Sequence, residues 1–342
     1  MSKPLMKNWK EPDGREFEIC DDAARNGYYS TERRSFDNAT KLTIKDIYDL
    51  YDNLTDTRNE FTDNNGEPIK DSGGNPIYEY VFSTGEYNLK GKRGVRDTNI
   101  TKPVILVQSG IHGTERAAVL STYKFFEDLA YRRNIPAYIP EGAIFKVVPL
   151  VVPVSFDSGA KSKTNAAGVN INRNFDYDFA VADEGTNDYS GKDPCDQPET
   201  QAITKWLNDN KDAVIHIDMH NSGNTGLNGT TPPNEVAMAV GLTNEAATKA
   251  KKIAAKGIER VIPFWSDVMG YDRSKNLFFY SSYVDAGGGC VYYAAGKLNI
   301  PSIAVEVSAI QNYGTQLSAE TIAAGAEALG NILIEAFEQM RW

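Results

Sequence analysis

The chain has 342 residues, 41% hydrophobic and 24% charged, which is enough for one large globular unit or two modest ones and excludes a disordered tract, a collagen-like repeat and a disulfide-stapled miniprotein. Lys plus Arg number 36 against 46 Asp plus Glu, and the net charge of −10 argues against a nucleic-acid backbone as the main partner. Only three histidines occur, His112, His216 and His220, so any histidine chemistry must use those three.

Cys20, Cys195 and Cys290 are far apart and form no C-x-x-C pair, which supports neither a disulfide framework nor a thiolate zinc site. The N-terminus lacks the apolar core of a secretion signal, and no run of about 18 apolar residues occurs. The expectation is therefore a soluble chain, cytoplasmic by default, with no membrane partner.

Residues 1–41 are polar and weakly periodic and read as an N-terminal extension wrapped on the surface or partly mobile. From Thr43 an amphipathic helix is predicted. Ile44, Ile47, Tyr48, Tyr51 and Leu54 recur at helical spacing behind a Thr43 cap with Asp46 three residues on. Residues 63–76, rich in Asn, Asp and Gly, form a loop, and 77–82 read as a strand.

Beyond this, apolar strands alternate with helices. Strands are predicted at 103–108 (PVILVQ), 145–154 (FKVVPLVVPV), 213–219 (AVIHIDM) and 301–307 (PSIAVEV). Helices are predicted at 114–132, at 196–210 with Asp196 as N-cap, at 244–260, and at 318–339 capped by Ser318. Near-continuous apolar strands alternating with helices imply an α/β fold, a mixed, mostly parallel sheet covered by helices on both faces. No repeat or clear linker follows residue 42, so 42–342 read as one α/β domain.

Three polar signals follow or end predicted strands: His112 with Glu115, then His220, then Glu306. In open α/β sheets the ligand crevice lies at the carboxyl ends of the strands, where such groups can converge. Two imidazoles and one carboxylate, with a fourth position left to water, make a catalytic zinc set, and the His112-Gly-Thr-Glu115 spacing lets both side chains reach one ion. His216 lies four residues before His220 on a strand, about 13 Å away at ~3.3 Å per residue, so both cannot bind one ion. His216 therefore reads as a core histidine. Glu306, the only charge between Lys297 and Glu320, is either an outward-facing strand residue or the carboxylate that takes a proton from zinc-bound water.

Gly168 to Phe175 reads GVNINRNF, where Asn172 and Arg173 offer an amide and a guanidinium fork suited to a substrate carboxylate. Tyr283, ahead of Gly287-Gly288-Gly289, is either on a pliable loop or packed beside a turn.

Together these segments resemble the zinc metallocarboxypeptidase family of carboxypeptidases A and B. The match runs from about residue 42 to the end, through GIHGTE (110–115), GVNINRNF (168–175), YSGKDPCDQPETQAI (189–203), IDMH (217–220), the Tyr283 and Gly-Gly segment, and AVEV (304–307). The resemblance implies one zinc ion on His112, Glu115 and His220. It also implies Glu306 as general base and acid, Asn172 and Arg173 on the substrate's terminal carboxylate, and Tyr283 closing over the substrate. The partner implied is a peptide with a free C-terminus.

Several positions depart from the family pattern. Lys163 stands where the family usually has the arginine that polarises the scissile carbonyl. It is a point charge without the bidentate fork. Asn170 replaces the usual aspartate behind the first zinc histidine, a kind of change that can cost ~10–100-fold in metal affinity or activity. Val152-Pro-Val-Ser155 replaces the usual Asn-Pro-Asp-Gly turn. The segment that lines the family's terminal side-chain pocket reads Gly289-Cys290-Val291 and holds no acid, so a Lys or Arg preference is not indicated there. A small or apolar terminal residue and a cell-wall peptide both stay open. So do an aspartoacylase-like amidohydrolase of N-acyl amino acids and a non-catalytic binding protein on the same fold.

Overall fold

The structure is a computed structural model that describes residues 6–10, 16–20, 28, 30, 36, 41–83, 103–131, 143–157, 163–222, 237–239, 242–268, 287–308 and 319–340. Two N-terminal strands, β1 (Met6–Lys10) and β2 (Glu16–Cys20), pair antiparallel. Helix α1 (Ile44–Asp52) then begins as the sequence predicts. Thr43 accepts from the Asp46 amide while the Asp46 carboxylate accepts from the Thr43 amide, and Ile44, Ile47, Tyr48 and Tyr51 are buried.

A seven-stranded mixed sheet forms the centre, in the order β3 (Arg58–Glu60), β4 (Tyr78–Ser83), β6 (Ile144–Val148), β5 (Val104–Ser109), β7 (Ile215–Ser222), β9 (Ser302–Ser308) and β8 (Ala237–Ala239). Strands β6, β5, β7 and β9 are parallel, and the pairings toward both edges are antiparallel. The pleat sorts the side chains into two layers. Ile105, Val107, Ile215, Ile217, Met219, Ile303 and Val305 join one core with α1, α2 (Arg116–Ala130), α5 (Glu245–Val268) and α6 (Ala319–Met340). The other face meets a second core built on Leu106, Ile171, Phe175, Ile203 and Trp206, from the 168–175 segment and α4 (Pro198–Asp209).

Four expectations are corrected. The apolar run 145–154 is not one strand: β6 ends at Val148, and a short helix α3 (Pro153–Asp157) follows. Pro149 and Pro153 decide this, because proline cannot donate to a ladder yet suits the first turn of a helix. Asp196 does not cap α4; Gln197 occupies the cap position without a side-chain bond. The Asp196 carboxylate accepts instead from Asn174 Nδ2 and from the Lys192 and Asp193 amides, fixing the preceding loop. Helix α2 starts at Arg116, two residues later than expected, because the Glu115 amide closes a turn on the His112 carbonyl. Helix α5 runs on to Val268, past the expected end, and the Ser318 cap lies outside the described residues.

Part of the N-terminal extension is packed. Tyr28 is 2% exposed, its backbone exchanges two hydrogen bonds with the Asn331 amide group, and its hydroxyl donates to Asp128. Among the described residues no helix is long and apolar enough to cross a membrane.

Candidate active site

The site stands at the carboxyl ends of β5, β7 and β9. His112, Glu115 and His220 come from the turn after β5 and the end of β7, and their donor atoms lie within 4.8 Å of one another in a buried cluster. The turn is possible because position 113 is glycine. A Cβ there would sit 2.2 Å from the Ser155 carbonyl carbon in α3.

Both imidazoles present Nδ1 to the Glu115 carboxylate, His112 at 2.9 Å from Oε1 and His220 at 3.0 Å from Oε2. The Asn221 amide also donates to Oε2, at 3.1 Å. Each Nε2 points away, to Asn170 Oδ1 at 3.1 Å for His112 and to within 3.0 Å of Asp218 Oδ2 for His220. This fixes what the cluster can hold. With its Nε2–H given to an amide oxygen, a neutral His112 turns a lone pair from Nδ1 toward a carboxylate oxygen, an arrangement that only a proton or a cation between them satisfies. Two nitrogen and one oxygen donors, all buried and already oriented from behind, fit one zinc ion. Burial works against charge on Glu115, but His112 and His220 outweigh it and hold that carboxyl well below the usual range. For His220, burial is likewise outweighed by Asp218 and Glu115, and its pKa rises well above the ordinary imidazole value.

Asn170 is itself explained here. Its Nδ2 donates to the Asn187 carbonyl at 2.9 Å, and its Oδ1 also accepts from the Asn172 amide at 3.0 Å. An aspartate could not make the first of these bonds.

Glu306 is the register partner of His220 across the parallel β7–β9 ladder, so its half-buried side chain leaves the sheet on the same face, beside the cluster. Lys163 Nζ lies 3.7 Å from Glu115 Oε1 with its side chain 48% exposed, at the open side of the cluster. Asn172 and Arg173 lie in the helical turn Ile171–Arg173. Asn172 Oδ1 accepts from the Cys290 amide at 2.9 Å, and Arg173 donates to the Asn172 carbonyl and lies 3.2 Å from Asp188. Both side chains are thus oriented with donors to spare. This turn leans on the glycine segment: the Phe175 amide donates to the Gly288 carbonyl, the Gly288 amide donates to the Tyr177 carbonyl, and a Cβ on Gly288, at φ +77°, would fall 2.1 Å from the Arg173 carbonyl oxygen. Tyr283 lies outside the described residues.

His216 is fully buried, with Nδ1 2.7 Å from Ser302 Oγ, and burial pulls its pKa down to about 4. It stands apart from the metal cluster. Asp218 and Gln108 are residues that the sequence reading passed over. The signal was present in β7, where His216, Asp218 and His220 are polar at every second position of the otherwise apolar run 215–220.

A sequence profile described as zinc carboxypeptidase matches residues 70–329, well over half of the chain. The chain belongs to the zinc carboxypeptidase family. No curated protein is similar to it in sequence at a significant level. Among solved structures it is similar to carboxypeptidase A from Helicoverpa armigera, with 17% identity over 87% of this chain and 72% of that one and a TM-score of 0.60. Bovine thrombin-activatable fibrinolysis inhibitor in complex with tick carboxypeptidase inhibitor gives 15% identity over 89% and 98%, with a TM-score of 0.62. A metallo-carboxypeptidase from Burkholderia cenocepacia gives 12% identity over 98% and 77%, with a TM-score of 0.59. At these identities the likeness shows the carboxypeptidase-like α/β fold.

Proposed function

We propose that this chain is a zinc metallocarboxypeptidase that hydrolyses the C-terminal residue from a peptide. The observation that carries the reading is the pairing of His220 with Glu306 across the β7–β9 ladder, which sets a half-buried carboxylate beside a buried two-histidine, one-carboxylate cluster.

His112, Glu115 and His220 would hold the ion. Bound there, zinc supplies a Lewis acid and lowers the pKa of a coordinated water toward neutrality. The chain's own residues divide the remaining work. Asn172 and Arg173 bind the terminal carboxylate through an amide and a guanidinium, which fixes the last peptide bond relative to Glu306. Glu306 takes a proton from the attacking water as its oxygen bonds to the scissile carbonyl carbon. It then delivers that proton to the departing amine nitrogen as the C–N bond breaks. Lys163 adds positive charge on the open side of the cluster, where negative charge develops on the carbonyl oxygen. Tyr283 is assigned closure over the substrate by the family resemblance.

The decisive experiment exchanges Glu306 for Gln in zinc-loaded protein. Metal content should stay at one ion per chain while kcat on a blocked peptide falls by on the order of 10²–10⁴-fold. Turnover equal to wild type would end the assignment. Activity on N-acyl amino acids but not on peptides would move the chain to the amidohydrolase reading.

A further inference from the structure

The loop between β3 and β4 makes the same turn twice. Asp63-Asn-Asn-Gly-Glu-Pro-Ile69 and Asp71-Ser-Gly-Gly-Asn-Pro-Ile77 match at the aspartate, at the glycine three places on and at the closing Pro-Ile. In each, the aspartate amide donates to the carbonyl four residues on, and the aspartate carboxylate accepts from the amides two and four residues ahead. The two aspartates differ in what else they reach. Among the described residues Asp63 bonds only within its own turn. Asp71 is 4% exposed, and its Oδ2 accepts from the Val154 amide at 2.6 Å, 83 residues away along the chain.

Val154 lies in the first turn of α3, where an amide has no partner within the helix. A helix of five residues does not hold itself together, so its place is set by what grips it. Asp71 grips one end, and a Cβ on Gly73 would lie 2.4 Å from Val154 Cγ2, so turn and helix touch directly there. Arg116, the residue after Glu115, grips the other end: it donates to the Phe156 carbonyl at 2.6 Å and sets its guanidinium 4.0 Å from the centre of the Phe156 ring. Between these grips Gly113 rests on the Ser155–Phe156 peptide, where a Cβ would fall 2.2 Å from the Ser155 carbonyl carbon and 2.3 Å from the Phe156 nitrogen. Gly113 stands between His112 and Glu115, so the metal turn lies on a peptide whose position depends on Asp71.

We propose that Asp71 is a positioning residue for the metal cluster. Through the Val154 amide it fixes α3 as the floor under the His112–Glu115 turn, and so holds those two donors at the spacing that one ion needs. The inference rests on the zinc reading above. Asparagine is the isosteric probe: it keeps an oxygen for the turn's own amides and brings Nδ2 against the Val154 amide, donor to donor.

The test measures zinc affinity by chelator competition in wild type, Asp71→Asn and Asp63→Asn, with urea unfolding of the metal-free proteins alongside. Asp71→Asn should bind zinc on the order of 10-fold more weakly, and its cobalt-loaded form should show a changed visible absorption spectrum. Asp63→Asn, the same exchange in the matching turn, should leave both as in wild type. Wild-type affinity and spectrum in Asp71→Asn, with stability alone reduced, overturn the proposal, because they mark Asp71 as a support for its loop only. An equal loss of affinity in Asp63→Asn overturns it too, since that turn makes no bond to α3. If Asp71→Asn does not fold, hydrogen exchange of the wild type decides. Coupling is reciprocal, so zinc should slow exchange of the Val154 amide by on the order of 10-fold and leave that of the Glu67 amide unchanged. Exchange at Val154 that is indifferent to zinc removes the link. A wild type that takes up no zinc ends the zinc reading and the role of Asp71 with it, whereas zinc bound equally by wild type and Asp71→Asn ends this inference alone.

Discussion

The pH dependence of stability should carry a component that belongs to His216. This imidazole is fully buried, and burial sets its pKa at about 4 in the fold, against about 6.5 for an exposed histidine. The folded value is the depressed one, so on acidification the unfolded chain takes up the proton first. The stability from a neutral His216 is complete above about pH 6.5 and is lost as the pH falls toward 4. A span of about 2.5 units at about 1.4 kcal/mol each gives about 3.5 kcal/mol over the whole window, of which about 2 kcal/mol is gone at pH 5. The perturbation is His216→Asn, which keeps a polar group near Ser302 Oγ and removes the titration. Urea unfolding of both proteins at pH 8 and pH 5, in chelator so that metal loss does not enter, should show wild type losing about 2 kcal/mol more than the variant. Equal losses would refute the reasoning, since the remaining titrating groups are common to both.

Three further outcomes follow from contacts at or near the site. Asn170→Asp should bind zinc more tightly, on the order of 10–100-fold in a chelator competition, while losing about 1–3 kcal/mol of stability, because a carboxylate would face the Asn187 carbonyl where Nδ2 now donates. On the proposed function, Gly288→Ala should raise KM much more than it lowers kcat in steady-state assays on peptides, since a Cβ at φ +77° and 2.1 Å from the Arg173 carbonyl displaces the Asn172–Arg173 turn and not the His112–Glu115–His220 cluster. Gly330→Ala would bring a Cβ to 2.3 Å from the Tyr28 ring and should cost about 1–3 kcal/mol in thermal or urea unfolding with zinc content unchanged, which measures how firmly the N-terminal segment is seated.

The parallel strands were legible because each is a compact apolar run, and α1 was legible because Thr43 and Asp46 carry a reciprocal cap. The failures have local causes. FKVVPLVVPV is apolar throughout, so hydrophobicity alone could not show that the chain leaves the sheet after Val148; the prolines did, and they outrank the apolar pattern. Asp196 had the right spacing for a cap, but three donors from Asn174, Lys192 and Asp193 compete for the same carboxylate. At the site, His112, Glu115, His220 and Glu306 could be picked out one by one at strand ends. Their convergence depends on the β5–β7–β9 order, which a linear reading does not contain.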